Sequence, residues 1–136
     1  MSIKIFTSLL ATFFILLFFF FSVQAATLTA LSAQETVVKG DTVVVEWFLD
    51  TEGQMVNVID ASITYSPQTL EVVSLSTANS AATLWTMQPS ITGPGVISFM
   101  AGIPAGVSGT RVPILRATVR AISVGDAAFS IQNNAQ

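Results

Sequence analysis

The chain has 136 residues, 51% of them hydrophobic and only 10% charged, with no Cys and no His. That composition excludes zinc fingers, haem on histidine, disulfide scaffolds and nucleophile-histidine triads, and the length allows at most one domain of ordinary size. After Ala25 four basic residues (Lys39, Arg111, Arg116, Arg120) stand against eight acidic ones, a net charge of about −4 that argues against nucleic acid or anionic lipid as partner.

The apolar excess is lopsided, since seven of the ten Phe lie within the first 21 residues. Lys4 supplies a positive start, Ile5 to Phe21 is an apolar run broken only by Thr7, Ser8 and Thr12, and Val23 and Ala25 occupy the −3 and −1 positions of a small-residue cleavage site. Residues 1–25 therefore read as a secretory signal peptide. The run is long enough that an uncleaved signal anchor is the alternative, and this leader is the only route to a membrane. Either way residues 26–136 are expected to be extracellular, secreted or attached at the cell surface, and to fold without disulfides.

From Ala26 onward no window sustains a helical apolar period. Thr27 to Leu31 alternates weakly, and Lys39-Gly40-Asp41 marks a turn. Thr42 to Asp50 is the strongest strand, with Val43, Val45, Trp47 and Leu49 on the core face and Val44, Glu46, Phe48 and Asp50 opposite. After a polar turn, Val56 to Tyr65 turns Ile59, Ala61, Ile63 and Tyr65 inward and Val58, Asp60, Ser62 and Thr64 outward. Ser66-Pro67 ends that strand, because proline has no amide hydrogen and restricts the residue before it.

Leu70 to Ser76 reads as a fourth strand and Thr83 to Gln88 as a fifth, punctuated by Pro89 and Gly93-Pro94-Gly95. Val96 to Ala101 then points Ile97, Phe99 and Ala101 inward and Val96, Ser98 and Met100 outward. Three Gly and one Pro between Gly102 and Arg111 predict a loop. Val112 to Ile122 is a long strand with Leu115, Ala117, Val119 and Ala121 inside, and Ala127 to Gln132 is the last, with Phe129 and Ile131 facing the core. About eight short strands without a helix describe an all-β fold, an antiparallel β-sandwich.

The order of these motifs resembles the cohesin domain family. The resemblance rests on Val38-Lys39-Gly40-Asp41-Thr42-Val43, on Leu49-Asp50-Thr51, on Val56 to Pro67 followed by Leu70-Glu71-Val72-Val73-Ser74, on Gly95 to Phe99, on Leu115 to Val119 and on Gly125-Asp126-Ala127. It implies a nine-stranded sandwich of jelly-roll topology, related to carbohydrate-binding modules, that docks a calcium-loaded dockerin in polysaccharide-degrading assemblies. Two departures stand out. Ser66 replaces the Asp of a Tyr-Asp-Pro motif, and the chain stops at Gln136 after its eighth strand, so the cohesin-like domain 26–136 is expected to lack the last strand and to belong to a longer polypeptide.

In the family the sheet of strands 3, 5, 6 and 8 is the docking surface, which implies partner contacts by Val58, Asp60, Ser62, Ser98 and Met100, with Asp60 accepting hydrogen bonds. Thr64, Val96, Ala128, Ser130 and Gln132 are expected on the same face. A plain solvated strand face is the competing reading. Trp47 is in phase with core residues, whereas Trp85 and Phe48 are the candidates for exposed rings that would stack on sugar in a direct carbohydrate-binding module. A structural surface module is the third reading. Glu46, Asp50, Glu52, Asp60, Glu71 and Asp126 fall at strand ends, turns or outer faces, which does not assemble the paired carboxylates of a glycoside hydrolase, so no enzymatic activity is expected. Asp50-Thr51-Glu52-Gly53 lacks the ligand spacing of a calcium loop and reads as a hairpin turn; no metal or cofactor is expected.

Overall fold

Two-residue alternation sends every second side chain to the same side of a strand, so each alternating segment needs one covered face. The structure, a computed structural model, describes residues 25–135, and the leader expected at 1–25 lies almost wholly outside them. Eight strands form: β1 (Thr27–Ser32), β2 (Thr42–Asp50), β3 (Val56–Thr64), β4 (Leu70–Ser76), β5 (Leu84–Gly93), β6 (Val96–Val107), β7 (Val112–Ala121) and β8 (Ser130–Ala135). They build two four-stranded sheets in the orders β1-β2-β7-β4 and β5-β6-β3-β8, with every ladder antiparallel. Pairing β2 with β7 in one sheet and β3 with β6 in the other nests one long-range ladder inside another, which is the jelly-roll arrangement.

The core lies between the sheets. Trp47 and Leu49 from one layer meet Ile59, Ile63, Ile97 and Phe99 from the other, all six fully buried. Removing each such side chain from water stabilises the fold by about 1.5–3 kcal/mol. The inward positions expected for β2, β3 and β7 are those observed, with Val43 and Tyr65 half-buried at the margin.

Three strands differ from the sequence expectation by several residues. β5 continues through Pro89 to Gly93, because it is an edge strand and Pro89 sits in a bulge between the pairs Met87/Met100 and Ser90/Ser98, where no ladder donor is needed. β6 does not stop at Ala101 but runs to Val107. Its register with β3 jumps from Val58/Gly102 to Val56/Val107, so residues 103–106 form a bulge opposite Asn57 in which Ile103 stays buried in the core while Pro104 is exposed. Asn57 donates its side-chain amide to the Ile103 carbonyl at 3.2 Å across that bulge.

β8 starts at Ser130, three residues later than expected. Phe129 leaves the sheet to pack against Trp47, and the Asp126 carbonyl accepts from the Thr69 hydroxyl at 3.4 Å, so the preceding segment closes one end of the sandwich. Ala128 consequently lies before the strand and not on the outer face of the β5-β6-β3-β8 sheet.

Candidate functional site

β3 is an interior strand, flanked by β6 on one side and β8 on the other, and it brings the five residues singled out on the sequence onto one surface. The ladder registers arrange that surface in rows crossing the strands. The first row is Leu84, Gly102 and Val58; the second is Met87, Met100 and Asp60. The third is Ser90, Ser98, Ser62 and Gln132, and the fourth is Gly93, Val96, Thr64 and Ser130. Rows follow one another by two residues along a strand, about 6.8 Å, and neighbouring strands are about 4.8 Å apart.

Leu84, Val58, Met87 and Met100 remain exposed although they are apolar, at 57%, 46%, 37% and 37%. Gly102 leaves a saddle between Leu84 and Val58, and a Cβ there would touch Leu84 at 3.5 Å. The third row is linked by hydroxyls: Ser98 Oγ lies 3.0 Å from Thr92 Oγ1 and 3.5 Å from Ser62 Oγ. Asp60 is half-buried and is the only charged residue in the four strands of this sheet.

The opposite sheet is different in kind. Its outer side carries the pairs Arg116 with Glu46 and Arg120 with Glu71, and the Arg111 guanidinium lies 4.6 Å from the centroid of the Phe48 ring. Such exposed pairs each contribute little, about 0–1 kcal/mol, but they keep that face hydrated. A face with a single ion is cheaper to desolvate against a protein.

Leu84 and Met87 were not identified from the sequence. Trp85 and Met87 have the same parity, yet a register shift between them turns Trp85 toward Phe99 and Met87 outward beside Met100, so alternation carried no signal for it. Trp85 is half-buried, its ring 6.0 Å from Phe99 at 62°, and Phe48 is half-buried beside Arg111. Each of the six aromatic side chains among the described residues is buried or half-buried.

The carboxylates do not converge. Glu46 and Glu71 are held by arginines, Asp50 accepts the Glu52 amide at 2.9 Å as a turn, and Asp60 stands on the other sheet. Among the described residues no group of three or more Asp or Glu is placed to hold a metal ion. A concavity of about 860 Å³ opens at the end of the sandwich between β1, the 34–39 loop and the 123–129 segment. Glu35, Lys39 and Asp126 are spread around it and no polar set converges within it.

No family model and no curated protein matches this sequence. Solved structures do match. The sixth cohesin of scaffoldin B from Acetivibrio cellulolyticus, in complex with a mutant Cel5 dockerin, superposes with a TM-score of 0.64 at 15% identity, covering 82% of this chain and 86% of that one. The cohesin module of a family 33 glycoside hydrolase from Clostridium perfringens gives 0.61 at 9%, covering 83% and 97%. A non-cellulosomal cohesin from the archaeon Archaeoglobus fulgidus gives 0.60 at 18%, covering 78% and 74%.

Proposed function

On the cohesin fold that these likenesses establish, we propose that the chain is a non-catalytic binding module that docks a dockerin-type protein domain through the outer face of β5-β6-β3-β8. One observation carries the reading. Three of the sheet's strands, β5, β3 and β6, expose Leu84, Met87, Val58 and Met100 around one carboxylate, a desolvatable surface with no cation of its own. Structural relatives solved with dockerins bound supply the kind of partner. Val58, Asp60, Ser62, Ser98 and Met100 form the centre of the interface, Asp60 accepting hydrogen bonds from the partner.

The apolar leader supports export, and the scaffoldin origin of several relatives supports a place in polysaccharide-degrading assemblies outside the cell. Polysaccharide is then reached through the assembly, a reading supported by the packing of Trp85 against Phe99 and of Phe48 beside Arg111.

The test is calorimetric titration of the full chain with a panel of calcium-loaded dockerin modules. Binding to at least one is expected, with affinity reduced by Asp60→Ala by about tenfold or more. Absence of binding across dockerins from the organism's own genome would sink the proposal.

A further inference from the structure

Thioethers carry all the sulfur of this chain, which has four Met and no Cys. Met55, Met87 and Met100 fall within the described residues, and all three are exposed. They do not stand in equivalent places. Met55 lies just before β3, whereas Met87 and Met100 are directly opposed in the ladder between β5 and β6, on the outer face of the sheet. Side chains opposed in this way stand about 4.5–5.5 Å apart at Cβ. Asp60 faces Met100 from β3, so row two runs thioether, thioether, carboxylate.

Resting on the docking reading, we infer that Met87 and Met100 form an oxidation site that turns docking off: hydrogen peroxide converts both thioethers to sulfoxides, and the oxidised row no longer accepts a partner. Each conversion is a two-electron oxygen transfer. A sulfur lone pair attacks one peroxide oxygen, the S–O bond forms as the O–O bond breaks, and the departing oxygen collects the proton of the transferred one and leaves as water. Sulfur is oxidised and peroxide is reduced. Sulfoxide reductases reverse the change.

The placement of the pair makes its oxidation a switch. Exposure admits the oxidant, and the outward orientation keeps the new oxygens away from the core, where the flanking Phe99 and Ala101 are buried, so the fold survives. Row two then consists of three acceptor groups in a sheet whose strands carry no Lys or Arg. The neighbouring hydroxyls are already engaged, Thr86 with the Met100 carbonyl at 3.2 Å and Ser98 with Thr92 and Ser62. Water satisfies the sulfoxides while the face is free. A partner that covers row two strips that water and leaves polar oxygens beside Asp60, where reduced thioethers offer adaptable apolar contact.

The experiment treats the full chain with hydrogen peroxide, removes the oxidant by gel filtration, and titrates the product calorimetrically with the calcium-loaded dockerin that binds the untreated chain most tightly. Peptide mass spectrometry locates each added oxygen. The expected result is oxidation of Met87 and Met100, an affinity loss of about tenfold or more, an unchanged thermal midpoint, and recovery after methionine sulfoxide reductase. The Met55→Leu chain should show the same loss on treatment. The Met87→Leu/Met100→Leu chain, compared with its own untreated affinity, should show none. Undiminished affinity with both sulfoxides in place, a loss that persists in the double variant, or two thioethers that resist peroxide while Met55 is oxidised would overturn this inference and leave the docking reading standing. If no dockerin binds the untreated chain, the docking reading fails and the switch falls with it.

Discussion

Trp47 and Phe129 meet edge to face, ring centroids 5.3 Å apart and planes at 89°, which ties the segment before β8 to the fully buried indole of β2 in the opposite sheet. Tyr65 adds a third ring, 6.3 Å from Phe129. This cluster plugs the end of the sandwich where the ladders stop. Phe129→Ala is expected to lower the unfolding free energy by about 2–3 kcal/mol, because it deletes an aromatic pair and leaves a gap against Trp47. Urea titration followed by tryptophan fluorescence reads it, and an unchanged midpoint would show that residues 123–129 lie outside the cooperative unit.

That contact also marks the limit of what the sequence discloses. Ile59, Ala61 and Ile63, or Val45, Trp47 and Leu49, announce their burial because regular ladders preserve parity over several residues. So the sandwich, and the outward set Val58, Asp60 and Ser62, were legible. Parity fails wherever a ladder slips: Trp85 and Met87 fall on opposite faces, and β6 passes through Gly102, Pro104 and Gly106 as a bulged strand. Phe129 keeps its inward phase while leaving the sheet, a choice made by a partner 82 residues away in sequence. Local pattern has no access to such tertiary decisions.

Two positive-φ positions should respond with opposite sign. Gly95 has φ +71°, its carbonyl accepts the Tyr65 amide at 2.8 Å, and a Cβ there would overlap the Tyr65 carbonyl oxygen and meet Pro67 Cδ at 2.8 Å. Gly95→Ala is expected to destabilise by about 2 kcal/mol or more. Glu52 has φ 51° in an exposed turn and carries a Cβ that this backbone disfavours, so Glu52→Gly is expected to stabilise by about 0.5–1 kcal/mol. The Asp50 bond to the backbone amide of residue 52 survives the change. Denaturant midpoints moving in the same direction would contradict this account of the two turns.

Thr51 is the only fully buried polar side chain among the described residues, and it holds the loop after β6 against the turn after β2. Its hydroxyl accepts the Gly109 amide at 3.0 Å while its own amide donates to the Gly109 carbonyl at 2.9 Å. Thr51→Val keeps the volume and removes the acceptor, leaving the Gly109 amide without its partner, so a loss of about 1–3 kcal/mol is expected. Thr51→Ser should retain most of the stability. Hydrogen exchange at the Gly109 amide separates the cases: faster in the Val variant, near native in the Ser variant.

Tyr65 makes the alkaline limit of stability measurable, because it is the only tyrosine in the chain. Burial against the core raises its phenol above the ordinary value of 10.0. Between the unfolded value and that raised one, the unfolded chain has lost the proton while the folded chain keeps it, so the folded state binds more protons and stability falls as pH climbs. The contribution is complete below pH 10 and disappears as pH rises through the folded value. Phenolate absorbance should therefore titrate above 10 in native protein and return to near 10 in denaturant, and Tyr65→Phe should flatten that part of the stability profile. A native titration at or below 10 would mean that the phenol is not shielded from water in the folded chain.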